Sequence, residues 1–593
     1  YAPVGAHKDL LPYLVRRLLE NGANSSFVHK LVDPNTPVET LVDHPLETLL
    51  QAPELANNKI PLPTQIFGTR KNSDGTNLNI QSLQKPFLDA VNQHSQKHFH
   101  GGPIINGETR KAGDKITVTS PQNRQHTIGE IFWATPEETE AALASAHKAF
   151  KGWNKKPIEA RASLLEKLAD ELEANKHELI ALCTMEAGKT LQDGVDEVRE
   201  AVDFCRYYAI EARKMFNEDP TLPGPTGERN EIFVSGKGVF VCISPWNFPL
   251  AIFLGQIAAA LVAGNTVIAK PAEQTGLVAH RTAELMLKVG FPNEVIQLLP
   301  GKGSEIGPQL TNDTRVAGVC FTGSTGTAKR INVSLAQRDG AIATLIAGTG
   351  GQNAMIVDST SLPEQVVTDA RDSAFKSAGQ RCSALRVMYV QDDVADRVIE
   401  LLQGAMQELV VGDPLSYKTD VGPVIDHTAQ ASLSAHIESI GRTGKVVATV
   451  PMPDMAQGGS YVQPTAIEID SINSLEKEHF GPILHIVRFK ASELDKVVDD
   501  INGTGFGLTL GIHSRNESFA FDIADRIDVG NVYINRNQVG AIVGVQPFGG
   551  QGLSGTGPKA GGPHYLTRFV TEKTISNNVT AIGGNTTLLS LGD

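Results

Sequence analysis

The chain has few cysteines, no excess of positive charge and no long apolar run, and each shortage removes a class of protein. Its five cysteines, Cys183, Cys205, Cys242, Cys320 and Cys382, are scattered, odd in number and form no Cys-x-x-Cys pair. That spacing argues against a disulfide framework and a structural metal site, and it suits a reducing, cytoplasmic setting. Lys and Arg number 53 against 66 Asp and Glu, for a net charge of −13. A chain this acidic lacks the basic face that nucleic-acid binding needs. The longest apolar stretch, Leu250 to Ala263, has the length of a core helix. It falls short of the roughly 20 residues of a membrane span. No signal peptide opens the sequence. Glycine patterns are incomplete too. There is no Gly-x-Gly-x-x-Gly, only the near miss Gly301-x-Gly303 with Gly307, and Ala187-Gly188-Lys189-Thr190 lacks a Walker glycine because Cys183 stands in its place.

What is present describes a globular protein, 41% hydrophobic and 20% charged. At 593 residues it exceeds one core and is read as several domains. A start at Tyr1 instead of Met suggests a piece of a longer protein. Leucines at helical spacing predict a helix over Asp9 to Glu20, stopped by Asn21-Gly22. From Pro34 to Asn77 the chain is rich in Pro, Asn and Thr and reads as a surface arm, followed by a helix over Gln84 to His98. Pro136 to Trp153 opens with acidic residues, as a helix N-terminus favours. Arg161 to Cys183 reads as one amphipathic helix. Ile232-Phe233-Val234 and Gly238 to Ile243, separated by Ser235-Gly236-Lys237, predict a hairpin. Short apolar runs at 267–270, 295–299 and 316–321 alternate with helical stretches, which predicts a parallel sheet in an α/β fold.

Cys382 lies in the small-residue loop Phe375-Lys376-Ser377-Ala378-Gly379-Gln380-Arg381-Cys382-Ser383, between a helical run (Gln365 to Phe375) and a strand-like run (Arg386 to Val390). Loops on a rigid scaffold are where reactive groups are placed. A thiol becomes a nucleophile as the thiolate, and the neighbouring Arg381 with free loop N–H groups predicts a lowered pKa. A cysteine met alone is more often an inert core residue.

Cys382 is not alone. Ser244-Pro245-Trp246-Asn247-Phe248-Pro249, Ala269-Lys270-Pro271-Ala272-Glu273, Phe321-Thr322-Gly323-Ser324-Thr325-Gly326, Glu478-His479-Phe480-Gly481-Pro482 and Pro547-Phe548-Gly549-Gly550 accompany it in order. Together they resemble the aldehyde dehydrogenase superfamily over about residues 100 to 580. The opening stretch, with Arg16-Arg17 and Tyr1-Ala2-Pro3-Val4-Gly5, resembles the last segment of the proline dehydrogenase barrel in the bifunctional proline utilisation family. The rest of that barrel is absent, so FAD binding is not expected.

The resemblance implies a variant Rossmann cofactor domain, an α/β catalytic domain and a β-flap for oligomerisation. The division expected is a barrel remnant at 1–33, a connecting arm at 34–99, a NAD-binding domain at 100–345 with its hairpin near 227–243, a catalytic domain at 346–535, and a return segment with anchor loop and flap at 536–593. Residues Thr571 to Asp593 would form the flap, an edge strand seeking a partner in a homodimer or higher oligomer. The resemblance also assigns roles. Cys382 would attack an aldehyde, with the Asn247 amide and the Cys382 N–H stabilising the oxyanion. Ser244, Trp246, Lys270, Glu273, Gly323, Ser324, Glu478 and Phe480 would bind NAD, and Glu273 would repel the extra phosphate of NADP. Phe248, Arg381, Ser383, Gly561, Gly562 and Phe569 would bind L-glutamate γ-semialdehyde, the glycines accepting its distal carboxylate. No metal is implied. The product would be L-glutamate, in proline catabolism, with a proline dehydrogenase domain fused ahead.

One position departs from the family. Its general base is the Glu of a Glu-Thr-Gly-Gly motif, and here the chain reads Gly348-Thr349-Gly350-Gly351. Losing a general base costs about 10²- to 10⁴-fold, so fast acylation followed by slow hydrolysis is expected, and no replacement base is evident in the sequence. A catalytically dead NAD-binding scaffold, or an acyl transferase using a thiol acceptor such as coenzyme A, are the alternatives.

Overall fold

Strands buried on both faces of a parallel sheet need near-continuous apolar runs, and the runs near 240, 268 and 319 provide them. In the computed structural model, which describes residues 10, 15, 27–42, 44–51, 53–57 and 60–578, these runs join a seven-stranded sheet. Its order is Thr344–Gly348, Val316–Thr322, Val239–Ile243, Thr266–Lys270, Ile296–Leu298, Ile104–Ile105 and Glu108–Thr109. The first five run parallel and the last two close the edge antiparallel. Register aligns the carboxyl ends: Ile243 lies opposite Lys270 and Phe321, and Thr322 opposite Gly348. The motifs that follow these strands therefore emerge along one edge, where α/β sheets bind ligands.

The chain leaves this sheet at Gly348 and enters a second at Ala354. The second has the order Lys445–Thr449, Thr465–Glu468, Ile483–Phe489, Val387–Gln391, Ala354–Val357, Thr509–His513 and Asn531–Ile534, parallel except at its first edge. Ala354, Val387 and His485 are neighbours in register. The segments just before these strands, with Gly350, Cys382 and Glu478, are thus gathered at the amino edge of this sheet, facing the chain's exit from the first.

The predicted hairpin does not form. Glu228–Gly236 pairs antiparallel with Val570–Asn578 and with Thr221–Leu222, while Val239–Ile243 joins the first sheet. The reason lies in the turn. The N–H groups of Lys237 and Gly238 both donate to Asn265 Oδ1 (2.7 and 3.0 Å), and a Cβ on Gly236 would meet the Gly264 carbonyl at 2.7 Å. This contact carries the chain forward instead of folding it back. The single helix expected over 161–183 is two, Ile158–Ala174 and Lys176–Ala187, with Asn175 between them. The Gly188-Lys189-Thr190 triplet is punctuation: Gly188 is a left-handed helix cap, and Thr190 caps the helix Leu191–Phe216. Thr135 and Glu138 form a capping box for Pro136–Asn154.

Residues 1–68 form a separate unit, whose described part holds the short helices Phe27–Val32, Val38–Val42 and Pro45–Leu50. Most of the helix expected over 9–20 and the tail beyond residue 578 lie outside the described residues. The helix expected over 84–98 spans Gln81–Ser95 and buries Phe87 and Val91. No described helix is long and apolar enough to cross a membrane.

The apolar helix Ala251–Val262 is anchored by a buried charge. Glu197 accepts from Leu250 N–H (3.3 Å) and Ala251 N–H (2.9 Å) and pairs with Lys189 Nζ at 3.1 Å, with both side chains almost wholly buried. Removing one partner of a buried pair leaves an uncompensated charge. Glu197→Ala is therefore expected to destabilise the fold by about 3–5 kcal/mol, read as a lowered urea midpoint, and Lys189→Met added to it to recover part of that loss.

Candidate active site

Cys382 is held at the end of a strained turn. After the helix Pro363–Phe375 ends, Ser377 (φ 54°), Ala378 (φ 53°) and Gly379 (φ 67°) are all left-handed. For Ser and Ala this costs roughly 1–2 kcal/mol each. At Gly379 no side chain fits, since a Cβ would stand 2.1 Å from the Gly481 carbonyl oxygen. Two buried arginines fix the turn. Arg381 donates to Ser377 Oγ (3.0 Å), the Val539 carbonyl (3.1 Å) and Asp193 Oδ1 (2.7 Å). Arg386 donates to the carbonyls of Gly379 (2.8 Å) and Arg381 (3.1 Å), and to Glu478 Oε1 at 3.0 Å. Asn353 Nδ2 holds the Cys382 carbonyl at 2.6 Å.

Of the five cysteines Cys382 alone is half-buried, and the other four are fully buried. It opens on two adjoining cavities and, with Glu200, Ile252 and Phe548, borders both. One, of about 410 Å³, is lined also by Phe248, Arg381, Ser383, Gly540 and Ala541. The other, of about 120 Å³, is lined also by Gln256, Thr322 and Gly348. Asn247, buried, donates from Nδ2 to the Gln380 carbonyl at 3.1 Å, while the Cys382 N–H donates to no described residue.

The thiol's electrostatics reverse the expectation. Burial, then Glu478 and Glu200, push the Cys382 thiol up to about 12, against a weaker pull from the Ser383 N–H and Arg386. Arg381 contributes little because its guanidinium is turned to Asp193.

The nucleotide-type residues form a second group. Buried Lys270 donates to the Pro271 carbonyl at 3.0 Å, and desolvation lowers its ammonium to about 8. Glu273 Oε1 accepts from Gly303 N–H at 2.9 Å, and a Cβ on Gly303 would touch Lys270 and Glu273 at 3.7–3.9 Å. Ser244 N–H donates to the Lys270 carbonyl at 3.1 Å. Ser324 is the N-cap of the helix Thr325–Gln337, and Gly323 N–H donates to the Gly348 carbonyl at 3.1 Å. Glu478 is gripped by Arg386 and by Gly351 N–H at 3.2 Å, and burial raises its carboxyl. Trp246 meets the edge of Phe480 at 5.6 Å. A buried ammonium with donors to spare, a helix start and two carboxylates suit the phosphates and ribose hydroxyls of a dinucleotide.

Three expected substrate residues lie elsewhere. Gly561 N–H donates to Tyr208 Oη at 2.9 Å, and Phe569 is fully buried against Phe240 (4.9 Å) and Tyr565 (5.3 Å). Neither they nor Gly562 line either cavity. The loop that does is Val539 to Val543, with Phe548 after it. Its signal is the small, apolar stretch Gly540-Ala541 just ahead of the Pro547-Phe548-Gly549-Gly550 motif. Glu200 was also missed. Its signal is the carboxylate row Asp193, Asp196, Glu200, Asp203, which helical spacing puts on one face.

Gly348 ends its strand at the smaller cavity, and the space beside it is open. A Cβ there would meet only Thr322 Oγ1, at 3.7 Å.

The aldehyde dehydrogenase family model matches residues 108–575, and a proline dehydrogenase model matches residues 1–30. The chain is 45% identical over 588 residues to the bifunctional protein PutA of Escherichia coli (strain K12), covering 97% of this chain and 44% of that protein. It is 36% identical over 507 residues to 1-pyrroline-5-carboxylate dehydrogenase of Geobacillus sp. (strain WCH70), covering 84% of this chain and 98% of that one. A solved structure of 1-pyrroline-5-carboxylate dehydrogenase from Thermus with bound NAD matches with a TM-score of 0.81 at 32% identity, covering 86% of this chain and 99% of that one. The chain thus spans less than half the length of the PutA protein and nearly all of the two dehydrogenases. The chain belongs to the aldehyde dehydrogenase family.

Proposed function

We propose that this chain oxidises L-glutamate γ-semialdehyde, the open form of 1-pyrroline-5-carboxylate, to L-glutamate with NAD. The observation that carries the reading is the one half-buried thiol, Cys382, at the junction of the two cavities. The match to 1-pyrroline-5-carboxylate dehydrogenases over almost their whole length supports the substrate.

In this reading the Cys382 sulfur adds to the aldehyde carbon. The Cys382 N–H and the Asn247 amide, which donates to the carbonyl of Gln380 two residues before the cysteine, would meet the developing oxyanion, each donor contributing roughly 3 kcal/mol. Phe248 and Phe548 flank the aliphatic middle, and Ser383 with the Gly540-Ala541 backbone receives the distal carboxylate, where a missing Cβ lets N–H groups approach. NAD, when bound, supplies the hydride acceptor. Lys270 and Glu273 would hold its adenosine ribose, Gly323 and Ser324 its phosphates, and Glu478 its other ribose, with Ser244, Trp246 and Phe480 nearby. What remains on Cys382 is a thioester, which water must cleave, and Gly348 offers no base for that step.

The bare Gly348 also favours a second reading, a scaffold that binds NAD without turnover. Stopped-flow absorbance separates the two. The expected trace is a burst near one NADH per chain followed by a slow steady state. Gly348→Glu, which has room for its side chain, is expected to raise the steady state about 10²- to 10⁴-fold and abolish the burst. A burst-free, sustained rate in the parent chain would contradict impaired hydrolysis, and no NADH at all would leave the scaffold.

Cofactor binding is tested at Gly350, where a Cβ would stand 1.8 Å from Glu478 Oε2. Gly350→Ala must displace that carboxylate, and NAD affinity by calorimetry is expected to fall about tenfold or more.

The match of residues 1–30 and the likeness to PutA support a place for this module behind a proline dehydrogenase domain in a longer protein. The strand Val570–Asn578, exposed along almost its whole length, supports at least a homodimer. Sedimentation at micromolar concentration is expected to give a dimer or larger; a monomer alone would refute it.

A further inference from the structure

The helix Leu191–Phe216 carries five carboxylates in its first four turns, and four are committed to the fold. Asp193 is paired with Arg381 at 2.7 Å, Asp196 accepts from Gln192 at 3.0 Å, Glu197 holds a helix N-terminus, and Asp203 accepts from Arg70 and Ser73 at 2.9 Å. Glu200 accepts no hydrogen bond from any described residue, yet it borders both cavities beside Cys382. Gly348 and Gln256 line the smaller cavity with it. Gln256 Nε2 donates to Thr322 Oγ1 at 2.9 Å, which leaves its Oε1 a buried acceptor with no partner. The cavity, about 120 Å³ and mostly apolar, has room for water, and its polar side chains include Glu200, Gln256 and Thr322, so a water there is held at that polar end.

We propose that Glu200 replaces the missing base: a water held between its carboxylate and Gln256 Oε1, in the space beside Gly348, hydrolyses the thioester on Cys382. The water oxygen bonds to the acyl carbon and its proton passes to Glu200. The carbon–sulfur bond breaks with its electron pair on Sγ, the carboxylic acid leaves, and Glu200 returns the proton to the thiolate or to solvent. No oxidant or reductant enters this step.

Burial raises the Glu200 carboxyl to about 8, and Glu197 and Asp196 on its own helix act in the same direction. Arg381, from the cysteine loop, and Lys189, ahead of the helix, oppose them. Below that pH the group is protonated and cannot accept a proton, so deacylation rises with pH through about 8.

The inference rests on the acyl-cysteine of the preceding reading but not on its substrate or cofactor, so it is tested without either. p-Nitrophenyl acetate acylates a thiol directly: the nitrophenolate burst reports acylation, and the steady state reports hydrolysis. The parent chain is expected to give a burst near one per chain, lost in Cys382→Ala, and a steady state rising through pH 8. Glu200→Gln should keep the burst, lower the steady state about 10²-fold, lose the rise, and accumulate acetyl-enzyme by intact mass. In the Gly348→Glu background the same change should leave the steady state unaltered, which also shows that the variant folds. An unmoved steady state in Glu200→Gln, equal losses in both backgrounds, or loss of the burst would each overturn the proposal. A parent with no burst would overturn it together with the acyl-cysteine, whereas a normal ester result with no NADH from the semialdehyde would sink only the substrate and cofactor.

Discussion

The site depends on two buried arginines that grip the backbone on either side of one thiol. Without Arg381 and Arg386, the left-handed run from Ser377 to Gly379 would relax, because nothing local favours that conformation at a serine and an alanine. Arg386 does more than hold the turn. It donates to the cysteine loop and to Glu478, and Gly379 is packed against the Gly481 carbonyl, so the thiol and the Glu478 carboxylate are positioned by the same contacts. Any ligand that moves Glu478 is felt at Cys382 through one guanidinium.

That coupling also sets the charge state of the site. Three acidic groups, Cys382, Glu478 and Glu200, lie where water is scarce, and each is raised by burial. The Glu478 and Glu200 carboxylates further disfavour the thiolate, so the Cys382 thiol of the ligand-free site keeps its proton at neutral pH. A thiol near 12 is a poor nucleophile at neutral pH, and the site becomes reactive as positive charge or hydrogen-bond donors arrive. The neighbouring Arg381 does not serve, because its donors are already committed to Asp193, Ser377 and Val539. Adjacency in sequence put a cation beside the thiol, and side-chain direction took it away.

The same distinction separates what was legible in the sequence from what was not. The parallel strands were legible because burial on both faces demands continuous apolar runs, and Cys382 was legible because its motif is local. Asn247, Lys270 and Glu478 were singled out in the same way, each inside a short recognisable string. The hairpin at 232–243 failed because strand partners are chosen over long range: Glu228–Gly236 pairs with residues more than three hundred positions away. The break at Asn175 was hidden because leucine spacing continues through it. Gly561-Gly562 looked like an anion loop, and Gly540-Ala541 looked like filler. Which of two glycine turns faces the cavity is decided by tertiary packing that no spacing encodes.

Glu200 illustrates the limit most sharply, since the sequence shows five carboxylates on one helix and gives no reason to prefer any. Partners decide. Asp193, Asp196, Glu197 and Asp203 each have a donor that fixes them, and a fixed carboxylate with its lone pairs occupied is a poor proton acceptor. Glu200 has no such donor, and the desolvation that would penalise it elsewhere brings its carboxyl close to working pH. Glycine at 348 leaves the space beside it open to a water within the cavity that Glu200 also lines, so the position that lacks one base is next to the route to another. The loss at Gly348 and the freedom of Glu200 are then two halves of one arrangement, in which the proton acceptor has moved from the strand edge of the first sheet to the helix that faces it.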